Sequence, residues 1–187
     1  RMIQELRDQR AEVVLLQEVT PWHAQDLVDG TGMVGYYSQT TSTQGNMILV
    51  HPDVAVLDNA KAVLNHDTDG WIEAAGASAH RAGREPRQVQ ALRLAQPDGR
   101  TVLVWNTHLS TSQATRADRD TENQRLLEFV ESQARPGEAV LGGGDLNDRS
   151  EAPAPTLLEG HGFDLQGATI DWLAGRNLES LQTGHAT

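Results

Sequence analysis

Short apolar runs recur along this chain, and several stop at a carboxylate, an imidazole or an amide. That pattern constrains the fold more than any other feature. Residues 13–16, 34–38, 47–50, 101–106 and 139–141 read as short strands, the apolar ones buried on both faces. Residues 88–94 form another, with a slip in its apolar phase at Leu92 that implies a bulge or burial on both faces. Residues 54–57 predict an edge strand and 169–173 a last strand. Helices lie between them. Met2, Ile3 and Leu6 sit at helical spacing. Thr20-Pro21 is an N-cap with proline in the first turn, and predicts a helix over 21–28. Leu126, Leu127, Phe129 and Val130 on a charged background predict a long surface helix over 116–134, and 155–159 a short one. Asp98-Gly99 is a hairpin signal. Residues 64–87 lack periodicity, are rich in turn formers and predict a surface loop. Strands and helices alternating with inserted hairpins place the chain in the α/β class with mixed sheets.

At 187 residues the chain is one domain's worth, long enough to bury a core. With 15 basic and 26 acidic residues its formal charge is −11, which argues against a broad basic face for nucleic acid. An anionic substrate stays open, because a bound metal inverts the local field. Cysteine is absent, so disulfides and thiolate sites are excluded. No apolar run approaches a membrane span and no signal peptide is visible; a soluble, monomeric protein is expected, with its compartment unreadable.

The chemistry is expected where strands end. Glu18 follows Leu15-Leu16-Gln17, and a carboxylate at such a lip suits a hard divalent cation; taken alone it reads first as an exposed loop acid. His108 ends the run 102–107 and could donate to a phosphoryl oxygen or act as an acid, or simply be a satisfied core histidine. Asp145 and Asn147 follow three glycines that let backbone approach closely. Two apart on an extended segment, they would point the same way, as water-orienting acid and oxyanion donor; a glycine-rich turn with Asx capping is the competing reading. Asp171, between Ile170 and Trp172, either needs a partner such as a histidine or lies on a solvent face.

Taken together and in this order, "LLQEV" at 15–19, "GNMIL" at 45–49, "NTHL" at 106–109, "GGDLN" at 143–147 and "IDW" at 170–172 resemble the endonuclease/exonuclease/phosphatase superfamily. The resemblance implies a four-layer α/β/β/α sandwich of two mixed, mainly antiparallel sheets, like deoxyribonuclease I, spanning 1–187 as a single domain that lacks terminal strands. It implies Mg²⁺-dependent (or Mn²⁺-dependent) hydrolysis of a phosphoester by water. Glu18 matches the metal-binding glutamate, Asp145 and Asn147 the pair that positions water and transition state, His108 the histidine on the scissile phosphate, and Asp171 the acid that orients the general-base histidine. The substrate would be nucleic acid or a phospholipid or phosphoinositide head group, which motifs do not decide. The family's first-strand asparagine would precede Arg1, and its terminal Asp-His would follow Thr187; His185 stands near that place without the pair and takes no role. The parent protein is therefore expected to be longer at both ends. The rival reading is a catalytically incompetent member that binds a phosphorylated ligand or a protein partner.

Other residues carry weaker signals. His66, Asp67, Asp69 and His80 read as a solvated loop rather than a metal cluster, and Arg81, Arg84 and Arg87 as surface before a basic stretch that meets substrate. Asp118, Arg119, Glu122 and Arg125 read as a solvated helix face, and Trp22 and Trp71 as core packing or incidental exposure before substrate stacking.

Overall fold

The computed structural model describes residues 2–65 and 86–179. The elements run α1 (Met2–Gln9), β1 (Val13–Val19), α2 (Pro21–Thr31), β2 (Val34–Gln39), β3 (Gly45–Val50), β4 (Val56–Val63), β5 (Gln88–Ala95), β6 (Thr101–His108), α3 (Arg116–Gln133), β7 (Ala139–Asp145), α4 (Pro153–Gly160), β8 (Asp164–Ala168) and β9 (Asp171–Arg176). The Thr20 hydroxyl accepts from His23 N and caps α2, and Thr115 caps α3 in the same way.

Two sheets result. The smaller has the order β1-β3-β2 and is antiparallel throughout. The larger has the order β4-β5-β6-β7-β9-β8; its one parallel pair, β6 with β7, needs the crossover that α3 supplies. Alternation along the strands sorts side chains into three buried layers. Met47 and Leu49 of β3 face α1 and α2, packing with Ala24 and Leu27. Ile48 and Val50 turn the other way, onto Leu92, Leu94 and Val104 between the sheets. Val89, Ala91, Leu103 and Trp105 point outward from the large sheet under Leu126, Leu127 and Val130 of α3 and Leu158 of α4. Helices, sheet, sheet and helices thus form the expected α/β/β/α sandwich.

The phase slip in β5 is burial on both faces: its register with β6 runs unbroken from Val89 to Ala95, with Val89 and Ala91 in the outer layer and Leu92 and Leu94 in the inner one. The edge strand starts two residues later and runs longer than 54–57, and carries the register irregularity instead, between Val56 and Asp58. Strand β8 was not expected from the sequence. It pairs with β9 through a turn at Thr169 and Ile170, so the last strand starts at Asp171 rather than at 169. Thr169 takes φ 64 without the Asn-Gly that usually announces such a turn.

The long connection falls mostly outside the described residues, as do His66, Asp67, Asp69, Trp71, His80, Arg81, Arg84 and His185. Its ends are not surface: Leu64 and Arg87 are buried and joined by Leu64 N–H to Arg87 O at 2.7 Å. At the Glu138 end of the large sheet, a groove of about 700 Å³ opens between Val13, Val54, Leu94, Val102 and Leu141. No described helix is long and apolar enough to cross a membrane.

Candidate active site

The expected residues gather at the other end of the sandwich. In the parallel pair His108 lies beside Asp145, and across the next pair Asp145 lies opposite Asp171. Three neighbouring strands therefore present an imidazole and two carboxylates in a row. His108 Nε2 is 3.7 Å from Asp145 Oδ2. Gly142 and Gly144 let β7 sit this close. A Cβ at Gly142 would fall 2.2 Å from the Trp105 ring, and one at Gly144 2.0 Å from Thr107 O, where φ is also +129°.

Glu18 arrives from the other sheet. Leu16 pairs with Met47 and Val19 with Gly45, so Gln17 and Glu18 together oppose Asn46 in a β-bulge. Glu18 is exposed and holds φ 56, a conformation that costs a non-glycine residue about 1 kcal/mol or more. Behind it Gln17 Nε2 donates to Asn106 Oδ1 at 2.7 Å, while Asn106 Nδ2 donates to Leu16 O at 3.0 Å and Met47 O at 3.1 Å. Tyr37 Oη donates to Val19 O at 3.1 Å.

Charges in this cluster act on one another. Burial pushes the Asp145 carboxyl above its usual range; the Asn147 N–H opposes that rise, as does Arg87, while the neighbouring charges of Asp171 and Glu18 add to it. Burial takes the His108 imidazole down to about 3, and the Arg87 guanidinium presses the same way. Burial outweighs the nearby Asp145 carboxylate, so His108 is neutral at neutral pH.

Asn147 does not continue β7. It turns at φ 51, its N–H donates to Asp145 Oδ1 at 2.8 Å, and its Nδ2 donates to Leu109 O at 2.8 Å. The extended Asp-x-Asn expected from the sequence is thus an Asx turn, which fixes the Asp145 carboxylate and commits one amide hydrogen of Asn147. Asp148 locks this turn: it pairs with Arg119, accepts Ala154 N–H on Oδ2, and accepts Trp172 Nε1–H on its carbonyl. Asp171 is exposed at the first position of β9, with no histidine paired to it among the described residues.

Several residues read as plain surface belong here. On α3 the buried stripe runs Glu122, Asn123, Leu126, Leu127, Val130, so the face continues onto polar side chains. Glu122 accepts Ser110 N–H at 2.9 Å, Ser110 Oγ–H at 2.6 Å and Asn65 Nδ2–H at 3.1 Å, pinning the chain just after His108. Burial raises its carboxyl, and the hydrogen bonds from Ser110 work against that rise. Arg119 pairs with Asp148, and Arg125 donates to Leu64 O at 3.1 Å. The four-residue offset of Glu122 from Leu126 was the available signal. Arg87 is buried, and its charge reaches His108, Asp145 and Glu122. Trp22 is 61% exposed on α2, the incidental exposure that was one of its two expected placements.

No set of three or more histidines, aspartates or glutamates among the described residues closes into a metal cage. The carboxylate oxygens of Glu18, Asp145 and Asp171 are hard donors, a set that fits a cation held by one or two carboxylates and water.

A four-layer α/β/β/α sandwich with acids and a histidine aligned on its strand ends defines a class of enzyme folds. The chain belongs to one family within it, the Endonuclease/Exonuclease/phosphatase family of hydrolytic phosphoesterases, whose profile matches residues 1–186. Solved structures agree on the fold. An endonuclease/exonuclease/phosphatase from Bacteroides vulgatus is 15% identical, with a TM-score of 0.77 over 94% of this chain and 77% of that one. The human Nocturnin catalytic domain with bound sulfate is 14% identical, with a TM-score of 0.74 over 93% of this chain and 72% of that one. D. rerio TDP2 complexed with single-strand DNA product is 13% identical, with a TM-score of 0.72 over 97% of this chain and 77% of that one. Comparison with curated sequences finds no match.

Proposed function

We propose that this chain is the catalytic body of a metal-dependent phosphoester hydrolase, a phosphodiesterase or nuclease that uses water as nucleophile. The observation that carries this reading is the meeting of Glu18 from one sheet with His108, Asp145 and Asp171 from three neighbouring strands of the other. Glu18 holds the divalent cation, Mg²⁺ or Mn²⁺. When bound, the cation neutralises charge on the phosphate. Asp145, held by the Asn147 N–H, orients and polarises the attacking water. The uncommitted amide hydrogen of Asn147 is a donor for charge developing on the phosphoryl oxygens. His108, being neutral, serves as a hydrogen-bond donor to a phosphoryl oxygen rather than as an imidazolium acid. Asp171 shares the carboxylate shelf and keeps Asp145 basic.

The substrate is a phosphodiester of nucleic acid or of a lipid head group. The net charge of −11 disfavours a long duplex held by phosphate contacts, and the single-strand DNA product bound by D. rerio TDP2 is consistent with a short or single-stranded one. A second reading, a ligand-binding member without turnover, draws on one observation: Asp171 lacks a histidine partner among the described residues. Hydrolysis of bis(p-nitrophenyl) phosphate in Mg²⁺, in EDTA and by Asp145→Asn separates the two. Turnover that EDTA abolishes and Asp145→Asn removes supports the hydrolase. Phosphate binding without turnover in any metal overturns it.

A further inference from the structure

The backbone at Glu18 is held by side chains that have no part in the chemistry proposed above. A glutamate at φ 56 persists only if its surroundings determine it. The carbonyls on both sides of it are tied down. Asn106 donates to Leu16 O at 3.0 Å from the opposite sheet, and Tyr37 donates to Val19 O at 3.1 Å from β2. The residue between, Gln17, donates to the same Asn106 at 2.7 Å. Asn106 is fully buried, and its second donation, to Met47 O, fixes the strand that opposes the bulge. It also lies two residues before His108 on β6, and its register partner Gly143 lies two before Asp145. One amide therefore touches both the bulge that carries Glu18 and the strand that carries His108.

We propose that Gln17, Asn106 and Tyr37 are positioning residues that hold Glu18 in its left-handed bulge and set its distance from the His108–Asp145 shelf. Resting on the hydrolase reading, the inference assigns these three side chains the task of making the cation-binding carboxylate preorganised. Without them the bulge relaxes toward an ordinary extended pair, and because side chains alternate along a strand, Glu18 turns away from the shelf. Gly144 belongs to the same packing: a Cβ there would lie 3.0 Å from Gln17 Nε2 and 3.1 Å from Asn106 Oδ1.

The test is direct binding of Mn²⁺, followed by the electron paramagnetic resonance signal of the free ion, on the wild-type chain and three variants. Asn106→Leu removes both donations and the acceptor at similar volume. Tyr37→Phe removes one hydroxyl and keeps the measurement possible should Asn106→Leu not fold. Val130→Ala truncates the outer core, away from the site, and serves as a control for stability alone. Loss of such supporting contacts commonly weakens a metal site by about 10- to 100-fold. The expected result is Mn²⁺ binding weakened about tenfold or more by Asn106→Leu and severalfold by Tyr37→Phe, with Val130→Ala unchanged despite a lower melting temperature. Wild-type affinity in both site variants overturns the inference, as does equal weakening by Val130→Ala. Failure of the wild-type chain itself to bind Mn²⁺ overturns instead the metal reading on which it rests.

Discussion

Protonation of His108 should make the fold strongly pH-sensitive on the acid side. In the folded chain burial and Arg87 hold the imidazole at about 3, against 6.5 for a free histidine. The unfolded chain therefore binds one more proton than the folded chain throughout that interval. Stability is full above 6.5 and falls as the pH drops toward the folded value. One proton corresponds to about 1.4 kcal/mol per pH unit, so the loss from this residue is about 2 kcal/mol between pH 6.5 and 5. Asp145 acts in the opposite sense. Its carboxyl is raised, so near its own titration the folded state takes up a proton first and recovers some stability; His108→Gln keeps that carboxyl, so comparing the two proteins isolates the imidazole. Urea unfolding of the wild type and of His108→Gln at pH 7.5 and 5.0 reads the difference. The wild type should lose about 2 kcal/mol more than the variant over that step. Identical pH dependences would show that His108 is not held neutral, and would remove the argument that it meets phosphate as a neutral donor.

Four other outcomes follow from particular contacts. Glu18→Gln should lose activity that excess Mg²⁺ partly restores, whereas Asp145→Asn should lose about 10²–10³ in rate at any metal concentration; rates measured across a Mg²⁺ series distinguish them. Glu18→Gly should raise the melting temperature by relieving the φ 56 conformation, a gain of about 1 kcal/mol, while abolishing Mn²⁺ binding. Arg93→Met should cost about 3 kcal/mol in chemical unfolding, because buried Glu138 loses its ion pair at 2.9 Å and keeps only the donations of Thr101 and Arg135. Gly144→Ala should destabilise the fold and lower activity together, since the added carbon meets Thr107 O at 2.0 Å. A circular dichroism melt unchanged from wild type would contradict it.

The residues that face the proposed chemistry were legible because strand ends announce themselves locally. Glu18, His108 and Asp145 each interrupt an apolar run, and a run that stops at a polar group marks where the sheet meets solvent. The residues that hold them in place were not legible, for a physical reason that differs in each case. Asn106 sits inside such a run as one more polar residue, and its meaning lies in a partner 89 positions away. The bulge at Gln17 and Glu18 exists only in the register between β1 and β3, which neither strand carries alone. Glu122 looks like any charge on a polar helix until the backbone after His108 supplies its donors. Asp171 lies between apolar residues in the sequence and is open to either a partnered acid or a solvent-facing one; the turn at Thr169 makes it the exposed first residue of its strand and brings it to face Asp145. Local pattern thus locates reactive groups, while their orientation is set by contacts between segments far apart in sequence. A substitution that spares every motif, such as Tyr37→Phe, is for that reason the sharper probe of how this site is built.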